Sequence, residues 1–177
     1  MTDRTLYLRN AAILIAGIAV LTASSYAAVP MIPVPVTMQT LAVLLVGAIA
    51  GPRMGLAMIV SWLGLAALGA PVLAGGKMGI AAFVGPTAGF LLSFPLAGFL
   101  AGIATRTFAT GHLSRFAAFI GLHGLILGMG WAWLSTLIGA EAAFMSGVAP
   151  FLVGGLIKSA LGAAILAAFD KTGRGAA

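Results

Sequence analysis

Lys158 stands inside an apolar run that extends from Pro150 to Phe169 without an acidic residue. A cation buried in a membrane-spanning helix costs at least about 2.5 kcal/mol on insertion scales, so it must face water, a partner or a ligand. At about 1.5 Å per residue it lies roughly 12 Å along the helix from Pro150, farther than a lysine comfortably reaches to the outer surface. Snorkelling is the bland reading. An anionic ligand entering from outside is the functional one, and Glu141 in the preceding outer loop is its only rival within the chain.

The other reactive groups do not assemble into a catalytic set. The chain has three carboxylates, Asp3, Glu141 and Asp170, two of them near the ends, so no carboxylate pair is available for general acid–base work. There is no cysteine. His112 falls in a loop, where solvation suffices. His123 falls early in a span, where a hydrogen bond to a neighbouring helix accounts for it. Neither has an acid or thiol beside it, which removes metal binding and a hydrolytic triad. Ser61, Ser93, Ser135 and Ser159 read as small residues packed between helices.

Two uncharged or nearly uncharged segments are able to complete a pocket with Lys158. In Pro33–Thr40, prolines stiffen the approach, and the spacing of Thr37 and Gln39 puts both on one side of an extended strand. Thr37 is equally suited to capping the next helix. In Leu73–Gly79, Gly75 and Gly76 beside Lys77 either let the backbone approach a ligand or simply turn. The segment lacks the Gly-Lys-Ser/Thr ending of a phosphate loop. A few polar groups in an apolar cleft suit a small, partly apolar molecule with a carboxylate.

The elements that must position these residues are membrane helices. Of 177 residues, 62% are hydrophobic and 7% charged, with mean hydropathy +1.17, whereas soluble domains average about a quarter charged. The 25 glycines lie mostly within apolar runs, the habit of closely packed membrane helices. Six spans are expected, at about Asn10–Ala28, Met38–Ala50, Met54–Leu68, Pro86–Thr105, Phe116–Ile138 and Pro150–Phe169, in one membrane-embedded domain over residues 1–177. Prolines 30–35 end the first, Gly51-Pro52-Arg53 turns the chain between the second and third, and Gly69–Gly85 forms a long outer connection. With the amino terminus in the cytoplasm, Arg4, Arg9, Arg53, Arg106, Arg115, Lys171 and Arg174 fall inside and only Lys77 outside, a positive-inside pattern that puts both termini in the cytoplasm. Residues 1–27 also resemble a cleaved leader, but five further spans and a small-residue face on the first favour retention. The continuous apolar runs exclude a lipid-facing β-barrel. The scattered cations lack the clustering that nucleic acid requires.

Along the first span Ala12, Ala16, Ala19 and Ala23 share one helix face. Small residues there serve either packing inside the bundle or docking of a second membrane protein. Gly98/Gly102 and Gly124/Gly128 are further candidates for close helix approach.

Taken in order, Pro-Val-Thr-Met-Gln-Thr-Leu-Ala-Val-Leu at Pro35–Leu44, Gly-Pro-Arg at Gly51–Arg53, Pro-Val-Leu-Ala-Gly-Gly at Pro71–Gly76 and Gly-Pro-Thr-Ala-Gly-Phe at Gly85–Phe90 resemble one family over essentially the whole chain. It is the BioY family, the biotin-specific S components of energy-coupling-factor transporters. The resemblance implies six helices in a bacterial plasma membrane and biotin as ligand near the outer face, with no cofactor. It adds Thr87 to the substrate-binding candidates Thr37, Gln39, Gly75, Gly76, Lys77 and Lys158. It also implies coupling to a T component and two cytoplasmic ATPases, with the first-helix alanine face toward the T component. The chain carries no P-loop, so ATP-driven uptake must borrow its motor. One position departs from the family pattern Gly-Asp-Leu-Ile-Lys, since this chain reads Gly154-Gly155-Leu156-Ile157-Lys158. The lysine carries over and the acid does not, leaving Gln39 or Glu141 to compensate. An S component for another carboxylated vitamin or a biotin precursor is the nearest alternative, and a non-transporting membrane scaffold or pore subunit is the alternative of another class.

Overall fold

The computed structural model describes residues 3–172. Arg174, one of the cations placed inside above, lies outside the described residues. Helices α1 (Asp3–Tyr26), α2 (Gln39–Ala50), α3 (Pro52–Ala67), α4 (Ala88–Thr107), α5 (His112–Ile138), α6 (Ala140–Gly147) and α7 (Ala149–Lys171) build the protein. Four of them, α1, α4, α5 and α7, are long and apolar enough to cross a membrane, while α2 and α3 are shorter apolar helices. The exceptions to an all-helical architecture are a two-residue antiparallel pairing of β1 (Ala28–Val29) with β2 (Val36–Thr37), and two short 3₁₀ turns at Ala74–Gly76 and Ile80–Phe83.

Three boundaries differ from the sequence expectation, the first being that α1 begins at Asp3, well before the expected Asn10. The segment after α5, expected as a plain loop carrying Glu141, is the eight-residue helix α6, set off from α5 by Gly139 at φ 86°. The fifth helix begins at His112, because the Ser114 hydroxyl bonds both the N–H and the carbonyl of Gly111, at 3.0 Å each, and starts the helix four residues early. His112 and Arg115 are therefore helical and not in a loop.

Glycine sets the packing at the centre. A Cβ on Gly47 of α2 would stand 2.0 Å from the Gly98 carbonyl oxygen of α4, one on Gly55 of α3 would stand 2.6 Å from Gly47 Cα, and one on Gly102 would stand 2.5 Å from Pro52 N. These four glycines let α2, α3 and α4 meet backbone to backbone. The expectation for Gly124/Gly128 fails, since both face open space with nothing within 4 Å of an added Cβ. The fully buried core includes Trp62, Phe119, Leu44, Ile59, Ile126 and Leu134.

Helix α1 sits at the side, against α3 and α2. Its buried residues are Gly17, Leu21 and Ser25, and a Cβ on Gly17 would strike the Met58 sulfur at 2.3 Å. Ala12, Ala16, Ala19 and Ala23 are all exposed on its other side, so the small-residue stripe is not used for packing within this bundle.

The two ends of the bundle differ in charge. At one, Arg106 reaches the Ala50 carbonyl that ends α2 at 3.4 Å, Pro52 and Arg53 begin α3, and Arg115 at the start of α5 pairs with Asp170 near the end of α7 at 2.6 Å. At the other end, the connection between α3 and α4 is fastened by aromatic donors. Trp62 bonds the Val72 carbonyl at 3.2 Å, Trp133 bonds the Gly85 carbonyl at 2.9 Å, and the Tyr26 hydroxyl bonds the Pro71 carbonyl. This second end carries Lys77 and the cavity.

Candidate functional site

The site is built where α2 begins. Strand β2 delivers Thr37, whose hydroxyl accepts the Gln39 N–H at 3.2 Å. Met38 is the N-cap residue, so Thr37 bonds the first helical N–H from one position farther out. Across from it, Lys158 of α7 is 8% exposed. Its Nζ donates to the Thr37 carbonyl at 2.6 Å and to the Thr40 hydroxyl at 3.3 Å. Lys158 thus points inward and does not snorkel.

A polar chain continues behind Thr40. His123 Nδ1 lies 2.9 Å from the Phe119 carbonyl and 3.0 Å from the Ser159 hydroxyl, and its Nε2 lies 3.2 Å from the Thr40 hydroxyl. A carbonyl only accepts, so Nδ1 carries the proton, Nε2 accepts from Thr40, and Thr40 accepts from Lys158. Ser159 in turn donates to the Gly155 carbonyl at 2.8 Å. His123 is therefore an interhelical hydrogen-bonding residue joining α5, α2 and α7, as the sequence suggested.

Thr37, Gln39, Lys77, Thr87 and Lys158 all line one cavity, and the structure adds Thr40 to them. Its walls are apolar, with Phe90, Leu91 and Phe94 from α4, Ile126 and Leu127 from α5, and Phe151 from α7. The cavity holds about 50 Å³, the room of one or two waters, whereas ligand pockets begin near about 300 Å³. An outer hollow of about 330 Å³ shares Pro35, Ala74 and Lys77 with it and is lined also by Tyr26 and Gly75. Gly76 lines neither. Both glycines have left-handed backbones, φ 67° and 72°, so the turn itself calls for glycine there.

Glu141 is no rival for Lys158. It lies exposed in the first turn of α6, and the ion pair found among the described residues is Arg115–Asp170. Nor does an acid stand in for the one Gly155 lacks, because no Asp or Glu lines the cavity, and an added Cβ on Gly155 would itself face His123 at 3.8 Å. Among the described residues no group of three or more histidines and acids is placed to hold a metal ion. Sequence reasoning missed Thr40, Ser25 and the aromatic walls. Thr40 had a signal, since it ends the polar stretch that contains Thr37 and Gln39. Phe90 and Phe94 had only their helical spacing, which any packed helix shares.

The model of the BioY family matches residues 1–174 of the chain. The chain belongs to the BioY family. Among its BioY relatives, the probable biotin transporter BioY of Pyrococcus horikoshii is 40% identical over 128 residues, covering 72% of this chain and 75% of that protein. The biotin transporter BioY2 of Lactococcus lactis subsp. cremoris is 35% identical over 164 residues, covering 89% and 90%. The fold is similar to the 2.1 Å crystal structure of the S component for biotin from an ECF-type ABC transporter, with TM-score 0.84, 25% identity, and coverage of 97% of this chain and 95% of that one.

Proposed function

We propose that this protein is the substrate-capture subunit of an ECF-type vitamin transporter and binds biotin from the outer face of a bacterial plasma membrane. The observation that carries this reading is the buried ammonium of Lys158, aimed into an aromatic-walled cavity in a chain of the BioY family. Such a charge in a membrane bundle marks a ligand path.

The chain forms one membrane-embedded domain with six crossings, α1 to α5 and α7, and both termini in the cytoplasm. Supporting this, Arg53, Arg106 and Arg115 fall at the bundle end opposite Lys77 and the cavity, as positive-inside orientation requires. The packing of α2 against α1, α3, α4, α5 and α7, and of α3 against α1, α2 and α4, supports counting them as spans despite their length.

The ligand enters ring first. Lys77 is exposed at the mouth, whereas Lys158 is buried and already holds a carbonyl and a hydroxyl. A carboxylate carried deep loses more hydration than a neutral ureido ring, so the ring goes inward with its oxygen on Lys158, and the carboxylate stays near Lys77. Gly75 lines the hollow at this mouth, and Thr87 lines the cavity that the hollow leads into. A carboxylate on Lys158 is the reversed reading, and its support is that no acid neutralises this ammonium.

Uptake is powered from outside the chain, through a T component and two cytoplasmic ATPases. The exposed Ala12–Ala23 face of α1 is the docking surface for the T component, and its freedom from internal packing supports that role. Titrating the detergent-purified protein with biotin, dethiobiotin and unrelated vitamins tests the proposal. Saturable binding of biotin alone or of biotin and dethiobiotin is expected. No binding, or equal binding of all, would return the protein to the scaffold reading.

A further inference from the structure

The cavity's lysines only donate, and no carboxylate lines it, so a ligand N–H has few acceptors to choose from. Gln39 supplies the amide oxygen among the lining side chains, and its orientation decides whether that oxygen is available. Gln39 Nε2 donates to the Ser25 hydroxyl at 2.8 Å, and Gln39 Oε1 accepts from the Thr37 hydroxyl at 3.1 Å. Ser25 is fully buried and Gln39 is 6% exposed.

The surrounding hydroxyls hold this orientation. Ser25 donates its proton to the Leu21 carbonyl at 2.8 Å, which leaves its oxygen to accept from the amide nitrogen. Thr37 already accepts the Gln39 N–H at 3.2 Å, which leaves its proton for the amide oxygen. Turning the amide over would put its NH₂ against Thr37 and take away the acceptor of the Thr37 proton. An amide oxygen has two lone pairs, and Thr37 occupies one. We propose that Ser25 of α1 is a positioning residue that holds the Gln39 amide with its oxygen toward the cavity, where the second lone pair accepts a ring N–H of the ligand. This rests on the reading that the cavity takes biotin ring first.

Ser25 does not line the cavity, so its effect must pass through Gln39. The test titrates wild type, Ser25→Ala and Gln39→Leu with biotin and with the two lactam analogues in which one or the other ureido N–H is replaced by CH₂. Wild type is expected to prefer biotin over one of the lactams by about tenfold, the factor of one buried hydrogen bond. In Ser25→Ala biotin binds several-fold more weakly while that lactam is nearly unaffected, so the preference collapses, and Gln39→Leu abolishes it. Full preference retained in Ser25→Ala, or equal weakening of biotin and both lactams, would show a packing role and overturn the proposal. Wild type that fails to bind biotin would instead remove the functional reading itself, and the positioning role with it.

Discussion

Replacing Lys158 by Met separates recognition from stability, because the two respond in different directions. Methionine keeps the unbranched length and removes the charge. If Lys158 holds a neutral ureido oxygen, the lost hydrogen bond to a charged donor is worth about 1.5–3 kcal/mol, which weakens biotin about tenfold to 150-fold. If it holds the carboxylate, truncating a buried pair costs about 2–5 kcal/mol, about 30-fold to several thousand-fold. Biotin methyl ester decides where the ranges overlap, since it should lose the same factor as biotin only in the ring-first arrangement. Stability responds otherwise. The variant strands the Thr37 carbonyl now bonded at 2.6 Å, a cost of about 1–3 kcal/mol, but it removes an ammonium whose burial in a span costs about 2.5–3.5 kcal/mol. The two offset, so the melting temperature of the ligand-free protein should hold or rise. Calorimetric titration in detergent and a thermal melt without biotin measure both. Exposed Arg53→Ala is the matched control, because Arg115 is committed to Asp170. Biotin affinity within twofold of wild type would refute the reasoning, as would a ligand-free melt that falls in step with binding.

Single cysteines at exposed Met78 and Leu113 should be labelled from opposite sides of the membrane, Met78 from outside; labelling of both by an impermeant reagent would break the topology. Gly47→Val should lower the melting temperature sharply, because its Cβ would lie 2.0 Å from the Gly98 carbonyl oxygen and overpacking costs about 1–3 kcal/mol or more. Gly124→Ala, which meets open space, should hold or raise it, and equal melts would contradict the glycine junction. Trp at both Ala16 and Ala19 should abolish co-purification with the T component while biotin binding by the isolated subunit stays within about twofold; intact assembly would move the docking surface elsewhere.

The helices were legible because each is a run of apolar residues closed by proline, glycine or charge; Gly51-Pro52 and Gly139 do turn the chain between helices where they stand, while α1 already stops at Tyr26, before Pro30. Helix α6 was not, because Ala140–Gly147 is one short apolar stretch whose helicity depends on lying against α5 and α7. Glycine was legible in number but not in use. Gly98 and Gly102 look no different in sequence from Gly124 and Gly128, yet only the first pair faces another backbone. At the site, Lys158 and the Thr37–Gln39 pair announced themselves by polarity in apolar surroundings. Ser25 did not, because a serine in a membrane helix ordinarily bonds its own preceding turn, as Thr22, Ser24 and Ser146 do here. Its second bond, to Gln39, depends on how α1 meets α2.

The length of α2 explains why the cavity lies where it does. With 12 residues it spans about 18 Å, against a hydrocarbon thickness of about 30 Å. Eight of those residues are buried, so neighbouring helices and not lipid surround it, and its shortfall of about 12 Å is tolerated within the bundle. Its Gly47 end is fixed by the glycine contacts to α3 and α4, so the shortfall falls at the end that meets the cavity. Lys158 is ten residues into α7, counted from Ala149, and therefore about 13 Å along from that helix's start. The two depths agree, which is why Lys158 Nζ meets the Thr37 carbonyl just before α2 begins. A full-length α2 would fill this space with its own turns and bury the lysine against a helix wall. The truncated helix instead leaves room above its first turn, and the backbone that reaches it, Pro33 to Thr37, supplies polar groups at a depth where a continuous helix would have bonded them internally.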